Sequence, residues 1–285
     1  MPGNIFATER SVAGLRARVA SWRGRGETIA LVPTMGALHE GHGALMTAAK
    51  KAADRVIVSL FVNPTQFGPG EDYTAYPRDE AADRIFLETA GVDLLYAPDA
   101  AEMYPRGFET SISVSGLGDV LCGVHRPGHF DGVVTVVAKL LSQATPDNAF
   151  FGEKDYQQLC VIRRVVRDLD LPVDIRGVAT VREADGLAIS SRNAYLRSDE
   201  RAVAPALYGT LTEVADRIAG GGGIDQALAG GVKALGEAGF GEVDYLVCAD
   251  AETLTPVTAL GRPARVFAAA HLGRARLIDN VAVPD

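Results

Sequence analysis

Along the first 170 or so residues, short runs that are apolar at nearly every position alternate with longer segments whose apolar residues recur every three or four. The runs are "TIALVP", "RVIVSLFV" and "VDLLYAP"; the segments are "GALMTAAKKAA" and "RDEAADRIFLETAG". A strand without a polar face must be covered on both sides, and a crossover helix after each strand supplies both the cover and the parallel direction. The pattern predicts an α/β sandwich with right-handed crossovers. "HFDGVVTVVAKLLSQA" has the valines of a strand, but its length and its apolar positions Val133, Val136, Val137, Leu140 and Leu141 predict a helix. "NAFFGEKD" then reads as a short strand ending in a turn, and "YQQLCVIRRVVRDL" as a helix stopped before Pro172.

Past "VATVREADGLAISSRN" the pattern changes. A single long helix is expected from Ser198 to Ala219, ending at Gly220 to Gly223, with another reaching about Ala238. Three β-rich runs follow: "VDYLVCA", "ARVFAAAHL" and "RLIDNVAV". Helices followed by strands indicate a second, α+β unit. The expected division is 1–180 and 181–285.

Composition narrows the function classes. The chain has 285 residues, 47% of them hydrophobic and 22% charged, as in ordinary globular proteins. Its net charge of −8 argues against a dedicated nucleic-acid binder and requires any anionic substrate to be held by local cations. Cys122, Cys160 and Cys248 are odd in number and far apart, so neither a disulfide framework nor a zinc site is indicated. No window approaches the roughly 18 apolar residues of a membrane span, and no secretory-type apolar region stands near the N-terminus. A soluble, cytoplasmic protein is expected.

Ligands of open α/β sheets bind beyond the carboxyl ends of the strands, so the strand-to-helix turns are the places to look. In "TMGALHEGHGAL", His39 and His42 are three apart; at a helix start they would share one face, where imidazoles and free N–H groups attract anions. Gly36 and Gly41 would let backbone approach a ligand. A metal site is the competing idea, but no third ligand is placed by spacing and no H-E-x-x-H string occurs. In "FVNPTQF", Asn63 and Gln66 are neutral groups suited to hydroxyl or carboxylate recognition. "FFGEKDYQQL" offers Lys154 as a mobile point charge, with Gln158 at i+4 on its face. "GLAISSRN" offers Ser190, Ser191 and Arg192 as a lid over phosphates. No P-loop, G-x-G-x-x-G or G-x-S-x-G string is present.

These strings, with "YPR", "RPGHFDGV" and "VREADGLAISSRN", resemble in order and spacing the motifs of the pantoate–β-alanine ligase (pantothenate synthetase) family. The likeness runs from about Ile29 to Leu196 and continues more loosely through "VDYL" and "RLIDN". It implies a Rossmann-like N-terminal domain, a smaller α+β lid domain and a homodimer. The reaction it implies is condensation of pantoate with β-alanine through a pantoyl adenylate, consuming ATP with Mg²⁺ and releasing AMP and pyrophosphate. Transfer of adenylate to a phosphorylated cofactor precursor, by a nucleotidyltransferase sharing the H-x-G-H turn, is the alternative. The resemblance also implies the site. Met35, Gly36, Ala37, Leu38, His39, Glu40, Gly41 and His42 would bind ATP, with His42 the catalytic histidine beside His39. Gly152, Glu153, Lys154, Asp155, Val181, Ile189, Ser190, Ser191 and Arg192 would add ATP contacts, Lys154 and Arg192 as the charge clamps. Gln66 and Gln158 would bind pantoate, Gln66 lying also near β-alanine, with Asn63, His129, Val133 and Val136 at the pocket wall. No protein ligand is assigned to Mg²⁺, which tends to stay on phosphates and water. The chain departs from the family's pattern at Ile189, where methionine is usual, at His125, where a small residue is commoner, and at Gly43, where leucine is usual.

Overall fold

The apolar runs lie side by side. In the computed structural model, which describes residues 7–284, six strands form one parallel sheet: β1 (Ala7–Glu9), β2 (Ile29–Thr34), β3 (Arg55–Leu60), β4 (Leu94–Tyr96), β5 (Asn148–Gly152) and β6 (Asp174–Val178). Residues 1–6 of the first expected unit and residue 285 of the second lie outside the described residues. The strand order is β1-β4-β3-β2-β5-β6. Leu94, Ile57, Leu31 and Ala149 pair across four strands in one row, all without solvent exposure.

Side chains alternate between two cores, as a period of two requires. Ile29, Leu31, Ile57 and Leu94 pack with α1 (Val12–Arg23), α6 (His129–Ala144) and α7 (Tyr156–Asp168). Ala30, Val32, Val56, Val58 and Leu95 face the other way, against α2 (Glu40–Ala52) and α3 (Glu80–Ala90). Between these come two single-turn helices, α4 (Ala100–Met103) and α5 (Cys122–His125). Helix α3 has both ends written in the chain: the Asp79 carboxylate accepts from the Ala82 N–H, and Gly91 leaves the helix at φ +67°.

The second unit comprises α8 (Ser198–Val203), α9 (Ala206–Ala219), α10 (Ile224–Ala238) and an antiparallel sheet of β7 (Val243–Asp250), β8 (Ala264–Leu272) and β9 (Ala275–Ala282). Its core joins Leu207, Leu211, Val214 and Leu235 to Leu246, Val266 and Leu272. The single helix expected from Ser198 to Ala219 is two helices. Pro205 separates them, since it has no N–H for the helical ladder and its ring crowds the carbonyl four residues back. Two strands were not foreseen, and both are edge strands of the parallel sheet. β1 is only half-buried, and in β6 only Ile175 is buried, so neither carries an apolar run.

Strand order reverses between β2 and β5, and their carboxyl ends carry the histidine and lysine turns. The "NPTQ" turn, a single 3₁₀ turn over Pro64–Gln66, docks on α6 where Gly132 leaves room for it. A Cβ at 132 would stand 2.5 Å from the Thr65 carbonyl carbon and 2.7 Å from the Gln66 nitrogen, both backbone atoms. Gly132→Ala is therefore expected to destabilise the fold by about 1–3 kcal/mol, read as a lower midpoint in denaturant unfolding. An unchanged midpoint would refute this close packing.

Candidate active site

The chain leaves β2 by a turn that glycine makes possible. Gly36 has φ +84° and Ala37 φ +50°, in the left-handed region that side chains disfavour. Asp83, on α3 and only 4% exposed, clamps this turn: its two carboxylate oxygens accept from the N–H groups of Ala37 (3.0 Å) and Leu38 (2.7 Å). Burial nevertheless raises the Asp83 pKa, the two backbone hydrogen bonds opposing that rise.

His39 comes next, in extended conformation, as the N-cap of α2. The two histidines stand side by side at the helix start, as their spacing predicts, but His39 precedes the first helical residue and His42 lies within the first turn. Its Nδ1 accepts from the Gly41 N–H (3.2 Å), and the His42 Nδ1 accepts from the His39 N–H (3.3 Å), so each ring satisfies a donor left over at the helix start. The ring centroids are 4.1 Å apart. Burial lowers the His39 pKa to about 4, with Lys154 adding to the shift, and the His42 pKa to about 3, with His39 adding to it. Both rings are neutral near pH 7. Because each Nδ1 is an acceptor, each proton sits on Nε2.

The amide turn is held just as tightly. Asn63 is 1% exposed; its Nδ2 donates to Gln66 Oε1 and to the Gly132 carbonyl (both 3.1 Å), and its Oδ1 accepts from the Tyr104 hydroxyl (2.8 Å) and Thr65 Oγ1 (2.9 Å). Its polar capacity is taken up inside the fold, so it orients Gln66. The Gln66 backbone carbonyl accepts from His129 Nδ1 (2.8 Å), and His129 Nε2 accepts from Arg126 Nη1 (3.0 Å). That arrangement keeps His129 neutral; burial, with the Arg126 charge, lowers its pKa to about 4.

Lys154 stands in a 3₁₀ turn, Glu153–Asp155, just before α7 rather than within the first turn of that helix. Its ammonium has no ion-pair partner among the described residues. A hairpin then carries Ser190–Arg192 over the same space: Ile189 N–H donates to the Val181 carbonyl (3.0 Å), and Arg182 pairs with Ala188. Ser191 Oγ donates to the Ala37 carbonyl (3.2 Å), linking hairpin to histidine turn. Arg192 is engaged by Asp72, through Nε (3.2 Å) and Nη2 (3.1 Å).

These segments enclose a cavity of about 240 Å³ that opens into one of about 660 Å³ between the two sheets; Lys154, Gln158 and Arg192 border both. Of the expected residues, fifteen line the smaller cavity, and five do not: Gly36, Ala37, Leu38, Glu40 and Glu153. Gly36 and Ala37 form the turn, Leu38 packs on the core, and Glu40 is exposed. His129, Val133 and Val136 line it as well. Asp83, Asp72, Tyr76 and Arg126 also belong to this site and are not among the residues expected from the sequence. Tyr76 and Arg126 lie inside the quoted strings "YPR" and "RPGHFDGV", which was a usable signal. Asp83 had none, because an aspartate on an amphipathic helix normally faces water.

The chain is similar to known proteins over nearly its whole length. The family model for pantoate–β-alanine ligase matches residues 7–282. The pantothenate synthetase of Paramagnetospirillum magneticum is 57% identical over 274 residues, 96% of each chain. That of Rhodospirillum rubrum is 57% identical over 275 residues, 96% of this chain and 98% of its own. The crystal structure of pantothenate synthetase from Thermus thermophilus superposes with a TM-score of 0.93 at 49% identity, covering 98% of this chain and all of that one. The Francisella tularensis pantoate–β-alanine ligase, crystallised with β-γ ATP and β-alanine, superposes at 0.82 with 34% identity and 97% coverage of both chains. A match spanning nearly every described residue, on a fold that carries the histidine, lysine and amide turns around one cavity, leaves one assignment: the chain belongs to the pantoate–β-alanine ligase family.

Proposed function

We propose that this chain condenses pantoate with β-alanine in two steps at the cavity between β2 and β5. In the first, a carboxylate oxygen of pantoate attacks the α-phosphorus of ATP, and the bond to pyrophosphate breaks. In the second, the uncharged amine of β-alanine attacks the acyl carbon of the adenylate, the C–O bond to AMP breaks, and the nitrogen gives up a proton. Hydroxide is a poor leaving group from a carboxylate and AMP a good one, so the protein's work is to position reactants and stabilise growing charge on phosphate oxygens.

The observation that carries this reading is a pair of neutral imidazoles, each with its proton on Nε2, sharing one cavity with an unpartnered ammonium. In this reading His42 and His39 donate hydrogen bonds from Nε2 to phosphate oxygens; a ring with a pKa near 3 or 4 acts as a hydrogen-bond donor and not as an imidazolium. Lys154 supplies the point charge for the phosphates, and Ser190 and Ser191 donate from the hairpin. Arg192 adds its charge on exchanging Asp72 for a phosphate. Gln66, held by Asn63, and Gln158 hold pantoate, with His129 fixing the Gln66 backbone and Val133 and Val136 forming the apolar wall. Mg²⁺ bound with the nucleotide would supply charge neutralisation. The oxygen ligands it prefers are at hand in the phosphates, water and the Asp155 carboxylate, which borders the cavity.

The chain is proposed to divide near residue 180, with residues 181–285 acting as the lid, and to work as a cytoplasmic homodimer. Among the described residues no helix is long and apolar enough to cross a membrane, and the three cysteines are free and buried, which suits a reducing compartment. Light scattering is expected to give about twice the 30.0 kDa chain mass; a monomer mass would remove the dimer.

Pyrophosphate–ATP exchange is expected to require pantoate but not β-alanine; exchange indifferent to pantoate would overturn the ligase reading. His42→Ala and Lys154→Ala are each expected to slow this exchange by about 100-fold or more with the fold retained by circular dichroism. Rates close to wild type in both would sink the site.

The depressed histidine pKa values make a separate prediction. Unfolded histidine titrates near 6.5, so as pH falls below that the unfolded chain takes up protons that the fold refuses until about pH 4 at His39 and His129 and about pH 3 at His42. Stability is thus full above about pH 6.5 and declines through the interval below it. Histidine proton NMR is expected to show no titration of these three rings between pH 8 and 5.5; a His42 midpoint near 6.5 would contradict it.

A further inference from the structure

The string "RLIDN" near the C-terminus has so far been given no role, and its last two residues reach across to the cavity's cationic segments. Asn280, on β9, is 3% exposed. Its Nδ2 donates to the backbone carbonyls of Glu153 (2.9 Å) and Lys154 (3.1 Å), and its Oδ1 accepts from Arg265 Nε (2.8 Å). The Arg265 guanidinium in turn lies 4.2 Å from the ring centroid of Tyr156, the first residue of α7. Asp279, 4% exposed, accepts from Arg182 through both oxygens (2.6 and 3.0 Å), and Arg182 also donates to the Gly186 carbonyl (3.1 Å) within the hairpin that ends in Ser190–Arg192. Adjacent residues of one strand thus hold two separate segments: the turn that bears Lys154 and the hairpin that bears Arg192.

The chemistry of Asn280 suits this task. Two carbonyl oxygens need N–H donors while a guanidinium needs an acceptor, and a primary amide offers both at once. An aspartate would keep the bond to Arg265 but set an oxygen against two carbonyl lone pairs. The Lys154 side chain is long, flexible and free of any ion-pair partner among the described residues, so the backbone of its own turn is what limits where its ammonium can go.

We infer that Asn280 is a positioning residue for the nucleotide phosphates, acting through the Lys154 turn, with Asp279 doing the same for the Arg192 hairpin. The inference rests on the proposed role of Lys154 and deepens it: the C-terminal sheet sets the geometry of the cations as well as covering the cavity.

The test is pyrophosphate–ATP exchange on the full chain in Asn280→Asp, Lys154→Ala and the double variant. Asn280→Asp retains the partner for Arg265 and is expected to fold; Asn280→Ala serves as the second replacement, and thermal melts read the folding of both. Either replacement is expected to raise the KM for ATP by about tenfold while the KM for pantoate changes by less than about twofold. Added to Lys154→Ala, it should cost less than about a further twofold, because a residue that acts through Lys154 has nothing left to position. An unchanged KM for ATP, equal rises for both substrates, or a full additional loss in the double variant would overturn the inference while leaving the role of Lys154 intact. A Lys154→Ala variant with normal exchange would instead overturn the reading of the site, and this inference with it.

Discussion

A parallel sheet points every strand's carboxyl end the same way, and that constraint organises the rest of this molecule. Because β2 and β5 are neighbours whose following helices lie on opposite faces, the chain parts between their ends and leaves a crevice. The histidine turn comes from one side of it and the lysine turn from the other. Everything else in the cavity is brought to that line: the amide turn from β3, α6 from behind, and the serine–arginine hairpin from beyond β6.

Charge within the crevice runs against the protein as a whole. A chain of net charge −8 gathers Lys154, Arg126 and Arg192 around a small space, yet pairs Arg126 with Glu71 and Arg192 with Asp72. Lys154 is the cation left without a carboxylate among the described residues. The imidazoles beside it stay neutral because burial opposes their charge, and the neighbouring ammonium reinforces this for His39. The result is a small cavity rich in hydrogen-bond donors. Holding it together are buried groups engaged by hydrogen bonds within the fold, above all Asp83 under the histidine turn and Asn63 behind Gln66.

Most of the parallel sheet was legible because strands buried on both faces have to be written as apolar runs; Val56 to Val58 is such a run. Where burial is partial, the record fades: β1 and β6 sit at the sheet's edges and read as ordinary polar segments. Pro205 is visible in the chain, but the apolar period on both of its sides continues, so the break between α8 and α9 was passed over. For the site, motif spacing located the turns. It could not say that His39 caps α2 instead of joining it, since that depends on which backbone N–H each ring receives.

By itself, the sequence determined the class of fold, the order of its apolar elements, the positions of the four motif-bearing turns, and a family resemblance that the whole-chain comparisons bear out. Those are local matters of periodicity and residue type. Tertiary structure alone decided which groups are free and which are already engaged. Asn63 and Arg192 look equally available in the chain, yet one is enclosed by Gln66, Gly132 and Tyr104 and the other faces Asp72. It also decided that Asn280, 126 residues beyond Lys154, lies against the lysine's own turn. Such facts depend on hydrogen bonds between distant segments, which no pattern along the chain encodes.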